Sequence, residues 1–189
     1  MKYVTLLAKI ISDSFIKKLL KLCVSVKQEE TSKKTSVSTI AKTFKRVVFK
    51  PNTINLDYGG GRYDKATEYL KTIKVTNLVF DPFNRKFEHN KKVLEQIKEN
   101  NGADTVTCNN VLNVIKEDKI RQQVIQNCFR LLKPHGIAYF SIYEGDKSGV
   151  GKKTGNGYQL NRVTESYQAE LEKVFSNITL KNKIFICKR

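Results

Sequence analysis

Nowhere does the 189-residue chain hold the roughly 18–20 uninterrupted apolar residues that a membrane-spanning helix needs. The nearest stretch, Tyr3–Val26, is broken by Lys9, Asp13, Lys17, Lys18 and Lys21. A cleaved leader is disfavoured as well, because the apolar run continues into Ser12-Asp13-Ser14-Phe15-Ile16-Lys17-Lys18, where no small-residue cleavage site stands. The segment reads as an amphipathic helix that packs on the domain or mediates self-association or partner docking, with attachment to a membrane surface as the alternative. Cysteine is sparse and scattered. Cys23, Cys108, Cys128 and Cys187 form no Cys-x-x-Cys or Cys/His spacing, which argues against a disulfide framework and a zinc site and for reduced, mostly buried thiols in a cytoplasmic protein.

Acidic residues are also few, 18 against 35 basic ones, for a net charge of +17. Lysine supplies 28 of the 35, which an AT-rich coding sequence would also produce. Position separates the two explanations. Residues 1–50 carry 12 basic and 3 acidic side chains, residues 51–146 carry 14 and 12, and residues 147–189 carry 9 and 3. A coding bias should load every segment equally, whereas here the excess sits in the flanks, a pattern that favours a polyanionic partner such as nucleic acid. The bland alternative is a set of solvated lysine faces.

At this length and 40% apolar content one domain can bury a core without staples. Residues 27–38 are polar and aperiodic, so residues 1–35 read as a helical extension with its linker and 36–189 as the domain. From there strand and helix periods take turns. Helices are predicted at Thr39–Val47, Asp64–Ile73, Glu88–Asn100, Lys119–Leu132 and Asn161–Phe175. Strands are predicted at Thr53–Asp57, Asn77–Phe80, Thr105–Cys108 and Ile137–Tyr143, with a last apolar stretch at Ile178–Cys187. Such alternation implies an α/β fold with a doubly wound, mostly parallel sheet, which binds ligands beyond the carboxyl ends of its strands.

The sharpest local feature is Ile54-Asn55-Leu56-Asp57-Tyr58-Gly59-Gly60-Gly61-Arg62-Tyr63-Asp64, an apolar strand that runs through three glycines into a helix. Glycine allows a ligand to approach the backbone and permits positive φ. A glycine turn alone is also compatible with a plain tight turn. Asp81 raises the specificity: it ends the next apolar strand, 20 residues beyond Gly61, where a carboxylate can accept both ribose hydroxyls of an adenosine ligand.

Asp57-Tyr58-Gly59-Gly60-Gly61 resembles the first motif of class I S-adenosylmethionine-dependent methyltransferases, with Asp81 in the place of their second-strand acid. Thr105–Ile115 is similar to their fourth strand and following turn, and Phe129–Ile137 to the helix, turn and fifth strand after it; the likeness covers about residues 50–146. It implies S-adenosylmethionine as cofactor. Asp57 would then lie near the methionine amino group, Tyr58, Gly59, Gly60 and Gly61 would line the ligand, Asp81 with Pro82 would hold the ribose, and Asn109 would sit beside the sulfonium. A nicotinamide dehydrogenase shares the glycine turn and the ribose acid. It is disfavoured because an acid stands two positions before the first glycine and because Asp64 replaces the third glycine of G-x-G-x-x-G, where it would repel a pyrophosphate.

The sequence also departs from the family. About 23 residues separate Asp81 from the strand at Thr105, mostly one helix, so the usual third strand and its adenine-binding acid are expected to be absent or minimal. Neither the Pro-Pro-aromatic tetrapeptide nor the Pro-Cys nucleophile of DNA-modifying relatives is present; Cys108 reads as a packed strand residue.

Methyl transfer asks mainly for alignment and for one proton to be accommodated. The polar side chains at the sheet's carboxyl edge, Asn110, Tyr143 and Glu144, with Asp146, are the catalytic candidates, and ordinary turn positions are the alternative for the two acids. After them a glycine-rich segment carries Lys147, Lys152, Lys153, Tyr158 and Arg162. It reads as a mobile cationic lid that contacts phosphates and stacks a base, or as a disordered connection; it lacks the glycine spacing of a Walker loop. Three functions follow from these features: a methyltransferase of nucleic acid, a methyltransferase of a small molecule or protein, and a non-catalytic S-adenosylmethionine-binding module.

Overall fold

The computed structural model describes residues 12–25, 39–155 and 157–189. In chain order the elements are helices α1 (Asp13–Ser25) and α2 (Thr43–Arg46), strand β1 (Ile54–Tyr58), helix α3 (Lys65–Thr72), strand β2 (Thr76–Phe80), helix α4 (Phe87–Glu99) and strand β3 (Ala103–Asn109). A 3₁₀ turn (Leu112–Val114), helix α5 (Asp118–Leu131) and strand β4 (Leu132–Ser141) follow, then strands β5 (Gly151–Thr154) and β6 (Gly157–Leu160). The chain continues through a second 3₁₀ turn (Thr164–Tyr167) and helix α6 (Gln168–Glu172) to strands β7 (Asn177–Lys181) and β8 (Ile184–Lys188).

Six strands make the main sheet in the order β2-β1-β3-β4-β8-β7. The first four pair in parallel, β8 runs antiparallel to β4, and β7 antiparallel to β8. The connection through α3 carries the chain outward from β1 to β2, and the one through α4 carries it back past β1 to β3. The direction of winding therefore reverses between β1 and β3, and right-handed crossovers put α3 and α4 on opposite faces. The two cores agree. Val93, Leu94 and Ile97 of α4 pack with Leu56, Val106 and Phe140 in the larger one, while Leu70 of α3 packs with Phe44, Phe49 and Tyr139 in the smaller. The crevice between the ends of β1 and β3 is the topological switch point.

Side-chain periodicity explains the helices. On α4 the buried positions Asn90, Val93, Leu94 and Ile97, and on α5 Arg121, Val124, Ile125, Cys128 and Leu131, recur at the three- and four-residue steps of one helical face. Strand β1 alternates instead. Leu56 and Tyr58 enter the larger core, and Asn55 and Asp57 point to the other face. There Asn55 donates to Asn77 Oδ1 (2.7 Å) and Thr107 Oγ1 (3.0 Å) and accepts from Thr105 Oγ1 (2.8 Å), a fully paired polar ladder across three strands.

No strand lies outside β2 among the described residues; α4 alone fills the space where a third strand was in doubt. The apolar stretch Ile178–Cys187 is a hairpin, turned at Asn182 and Lys183 with φ of 53° and 62°. Other expectations need correction. The helix predicted at Asn161–Phe175 is a 3₁₀ turn followed by the five residues of α6, and the helix at Thr39–Val47 shortens to α2. Strand β4 begins at Leu132, with an irregularity before Ile137 that takes up Pro134 and left-handed His135.

The segment read as a lid holds an antiparallel hairpin, β5 paired with β6. Tyr158 and Leu160, two apart on β6, turn into the larger core, and Gln159 between them donates to Tyr143 O (3.0 Å). The hairpin was hidden because β5 buries no residue fully and so shows no apolar alternation.

Helix α1 packs on α4. Its Phe15, Ile16 and Leu19 are buried, Asp13 pairs with Lys98 at 2.5 Å, and the Arg130 guanidinium stands 5.3 Å from the Phe15 ring. The rest of the predicted Tyr3–Val26 helix, residues 3–11 and 26, and the whole of the predicted linker, residues 27–38, lie outside the described residues. No helix among the described residues is long and apolar enough to cross a membrane.

Candidate functional site

Beyond β1 the chain turns through Gly59 (φ 75°) and Gly61 (φ 76°), both in the left-handed region that favours glycine. Gly59 N–H donates to Phe80 O at 2.7 Å, which stitches this turn to the end of β2. Gly60 is required for space: a Cβ there would strike the Asp57 carboxylate and stand 2.9 Å from Val79 Cγ1. Gly60→Ala is therefore expected to destabilise the fold by about 1–3 kcal/mol, the usual cost of overpacking. An unchanged urea midpoint would show that the turn has room.

Asp81 joins the two turns. Its Oδ2 accepts from Gly61 N–H (2.9 Å); its Oδ1 accepts from Phe83 N–H (2.9 Å), Asn84 N–H (2.9 Å) and Asn84 Nδ2 (3.0 Å). Pro82, with no N–H of its own, opens the turn that supplies these donors. Fully buried Asn90 of α4 accepts from Asp81 N–H (3.0 Å) and donates to Asp81 O (2.9 Å). Arg85 ties the segment after β2 to the turn after β1, donating to Gly61 O (2.7 Å) and Tyr63 O (3.2 Å) and pairing with Asp64 (2.7 Å). The carboxylate that replaces the third glycine of a dinucleotide fingerprint thus has a cation of its own.

Asp57 faces the same turn, buried, and accepts from Thr107 Oγ1 at 2.9 Å. Burial pushes its carboxyl up to about 7. The Thr107 bond acts against that rise, the nearby charge of Asp81 adds to it, and Asn109 and Arg85 oppose it. Tyr58 turns the other way, into the core, where its hydroxyl accepts from Asn127 Nδ2 at 3.0 Å.

Across the switch crevice, Asn109 ends β3. Its Oδ1 accepts from Ser141 Oγ (2.8 Å), while its Nδ2 is buried with no hydrogen-bond partner. Asn110 follows with φ 55°, its N–H bonded to Ser141 O at 2.9 Å and its side chain exposed. Tyr143 is 60% exposed.

Glu144 serves as an anchor. It accepts from Thr164 N–H (2.6 Å) and pairs with Lys183 (3.2 Å) and Lys147 (3.4 Å); the Thr164 contacts foremost, then Lys183, hold its carboxyl down to about 2. A lowered acid contributes stability above its unfolded pKa, and the contribution disappears as pH falls through the folded value. Glu144→Gln should therefore lower the melting temperature near pH 7 and converge with wild type near pH 2; equal melting at neutral pH would remove the anchor role.

Asp146, likewise held well below the usual carboxylate range by its bonds to Lys152 and Ser148, pairs with Lys152 at 2.6 Å. The basic residues of this region divide into two groups. Lys147, Lys152 and Lys153 are exposed on or before the β5–β6 hairpin. Arg162 is drawn into the fold, paired with Glu170 (3.0 Å) and 4.3 Å from the Tyr167 ring centroid. Tyr158 is buried, so the hairpin offers no Tyr158 ring for stacking.

The sequence reading missed Arg85, Asn84, Asn90, Thr107 and Ser141. Each acts by holding another residue or a turn in place, and such a role depends on a fold-made neighbour.

This topology is the Rossmann-like class I methyltransferase fold, shortened by one edge strand. No protein-family model and no curated protein matches the sequence. Solved structures do match in fold. The chain is similar to a 1,6-didemethyltoxoflavin-N1-methyltransferase from Burkholderia thailandensis, solved with S-adenosylhomocysteine: 14% identity over 74% of this chain and 72% of that one, TM-score 0.52. It is also similar to phosphoethanolamine N-methyltransferase 2 of Haemonchus contortus: 15% identity, 90% of this chain, 43% of that one, TM-score 0.50. A putative sarcosine dimethylglycine methyltransferase from Galdieria sulphuraria matches at 18% identity over 49% of this chain, TM-score 0.35. The chain spans less than half the length of the last two enzymes, 43% and 40%.

Proposed function

We propose that this protein is an S-adenosylmethionine-dependent methyltransferase that acts on nucleic acid in the cytoplasm. The observation that carries the cofactor is the pairing of two buried carboxylates, Asp57 and Asp81, on either side of a glycine turn at the switch point of a methyltransferase fold. The residues present fit the ligand. Asp81 Oδ2 keeps a lone pair after Gly61 N–H that a ribose hydroxyl could use, and the close packing of Gly60 on the Asp57 carboxylate leaves the turn backbone bare of side chains at that point. Asp57 would hold the ammonium group and Asp81 the ribose, with Tyr58, Gly59, Gly61 and Pro82 supplying the backbone around them.

S-adenosylmethionine, when bound, supplies an activated methyl group on a sulfonium. The chain's own task is to align the acceptor and take up a proton. Asn110 and Tyr143, both exposed after the strands they follow, would be the side chains to meet an acceptor. Glu144 would act by positioning, since its carboxylate is already engaged.

The net charge of +17 and its concentration in the flanks support nucleic acid as the acceptor, with Lys147, Lys152 and Lys153 as phosphate contacts and Arg162 shaping the hairpin's base. The three described cysteines are free thiols, as a reducing compartment would keep them. Transfer of a labelled methyl group from S-adenosylmethionine to DNA or RNA, and not to protein or metabolite fractions, is the expected result. Label confined to a small-molecule or protein fraction would overturn the nucleic-acid half of the proposal.

A further inference from the structure

The hairpin lysines account for only part of the positive charge, and a second cationic surface lies elsewhere. Helices α1 and α5 and the chain just after α6 border an open groove of about 450 Å³. Along it α5 presents Lys119, Gln123, Gln126 and Arg130, spaced at helical steps on one face, while Lys18 of α1 and Lys173 face them from either side. All six side chains offer N–H donors. The single carboxylate on the lining, Asp118, is already paired with Arg121. The single aromatic on it, Phe15, is buried beneath Arg130.

Four cations without a free acid, interleaved with amides, suit phosphate oxygens and suit neither an apolar partner nor an acidic metal site. Length narrows the ligand further. From Lys119 to Arg130 the helix rises about 16 Å, longer than one nucleotide and comparable to several consecutive phosphates of one strand. We propose that this groove holds a stretch of nucleic-acid backbone outside the methyl-transfer site, so that the substrate is gripped at two places, the β5–β6 hairpin and the α1–α5 groove. The proposal rests on the nucleic-acid reading of function. It adds a second contact, independent of sequence, that fixes how the polymer runs across the domain.

The test uses the full chain and a fluorescein-labelled random-sequence oligonucleotide, single-stranded and duplex, titrated across a salt series. For K119E/R130E/K173E we expect a loss of affinity of about tenfold or more and a log-affinity against log-salt slope shallower by about 2–3 on duplex. Titration with S-adenosylmethionine should be unchanged, which separates a lost contact from a lost fold. The triple Lys/Arg→Gln variant at the same positions should give a smaller loss in the same direction. Wild-type affinity and slope in both variants, with K152E/K153E weakened, would overturn the groove and leave the nucleic-acid reading standing. No binding of either oligonucleotide by the wild type at low salt would overturn both.

Discussion

Asparagine at position 57 is expected to stabilise the folded protein at about pH 8 by up to about 4 kcal/mol and to change it little near pH 3. The reason is the buried Asp57 carboxyl, pushed up to about 7 chiefly by lost hydration. A raised carboxyl binds its proton more tightly folded than unfolded. Wild-type stability from this group is therefore complete below the unfolded pKa near 4, declines as pH climbs from there to about 7, and stays low above it. Asparagine keeps an oxygen for Thr107 and removes the charge. Urea unfolding across this pH range should show the two proteins converge in acid and separate toward alkali. Parallel curves would mean that Asp57 is not buried as a charge in the folded state.

The same substitution should damage ligand binding. If Asp57 meets the ammonium group of S-adenosylmethionine, wild-type affinity should rise by nearly tenfold per pH unit below about 7 and then flatten, while Asp57→Asn should bind weakly and without that slope. A residue that stabilises the protein when removed is one retained for function.

Asp81→Ala should have the larger effect on the site. One carboxylate accepts from Gly61, Phe83 and Asn84, so its loss frees the turn after β1 from the turn after β2 and leaves partly buried donors unpaired. Binding of S-adenosylmethionine should fall by at least two orders of magnitude, with a stability loss of about 1–3 kcal/mol or more for the orphaned N–H groups. Asp81→Asn separates the roles. It can rebuild some of these bonds by reorientation, so stability should partly return while affinity stays low. Full affinity in Asp81→Asn would mean that this position serves the turn alone.

The sequence made the frame legible because each feature there was local. The apolar strands, the helical faces of α4 and α5, three glycines after a strand and an acid after the next one are all read within one element or across one crossover. The missing edge strand was legible too, since residues 81–102 have room for α4 and little else. What escaped was relational. Strand β5 shows no apolar alternation, and the contacts that hold the β5–β6 hairpin, Tyr158 and Leu160 in the larger core and Asn113 with Gln159, come from elements distant in sequence. Glu144 looked like any acid at a strand end, because its partners Thr164 and Lys183 come from later elements. Arg85 bridges 21 residues of sequence to Asp64, and nothing in the intervening residues marks that pairing.

The central claim is a cofactor site at the β1–β3 switch point, and isothermal titration of the full chain with S-adenosylmethionine and S-adenosylhomocysteine, with NAD as control, tests it most directly. Micromolar binding of both sulfur ligands, abolished in Asp81→Ala, and no binding of NAD is the predicted result. Failure of the wild type to bind either sulfur ligand, or a preference for NAD, would contradict it.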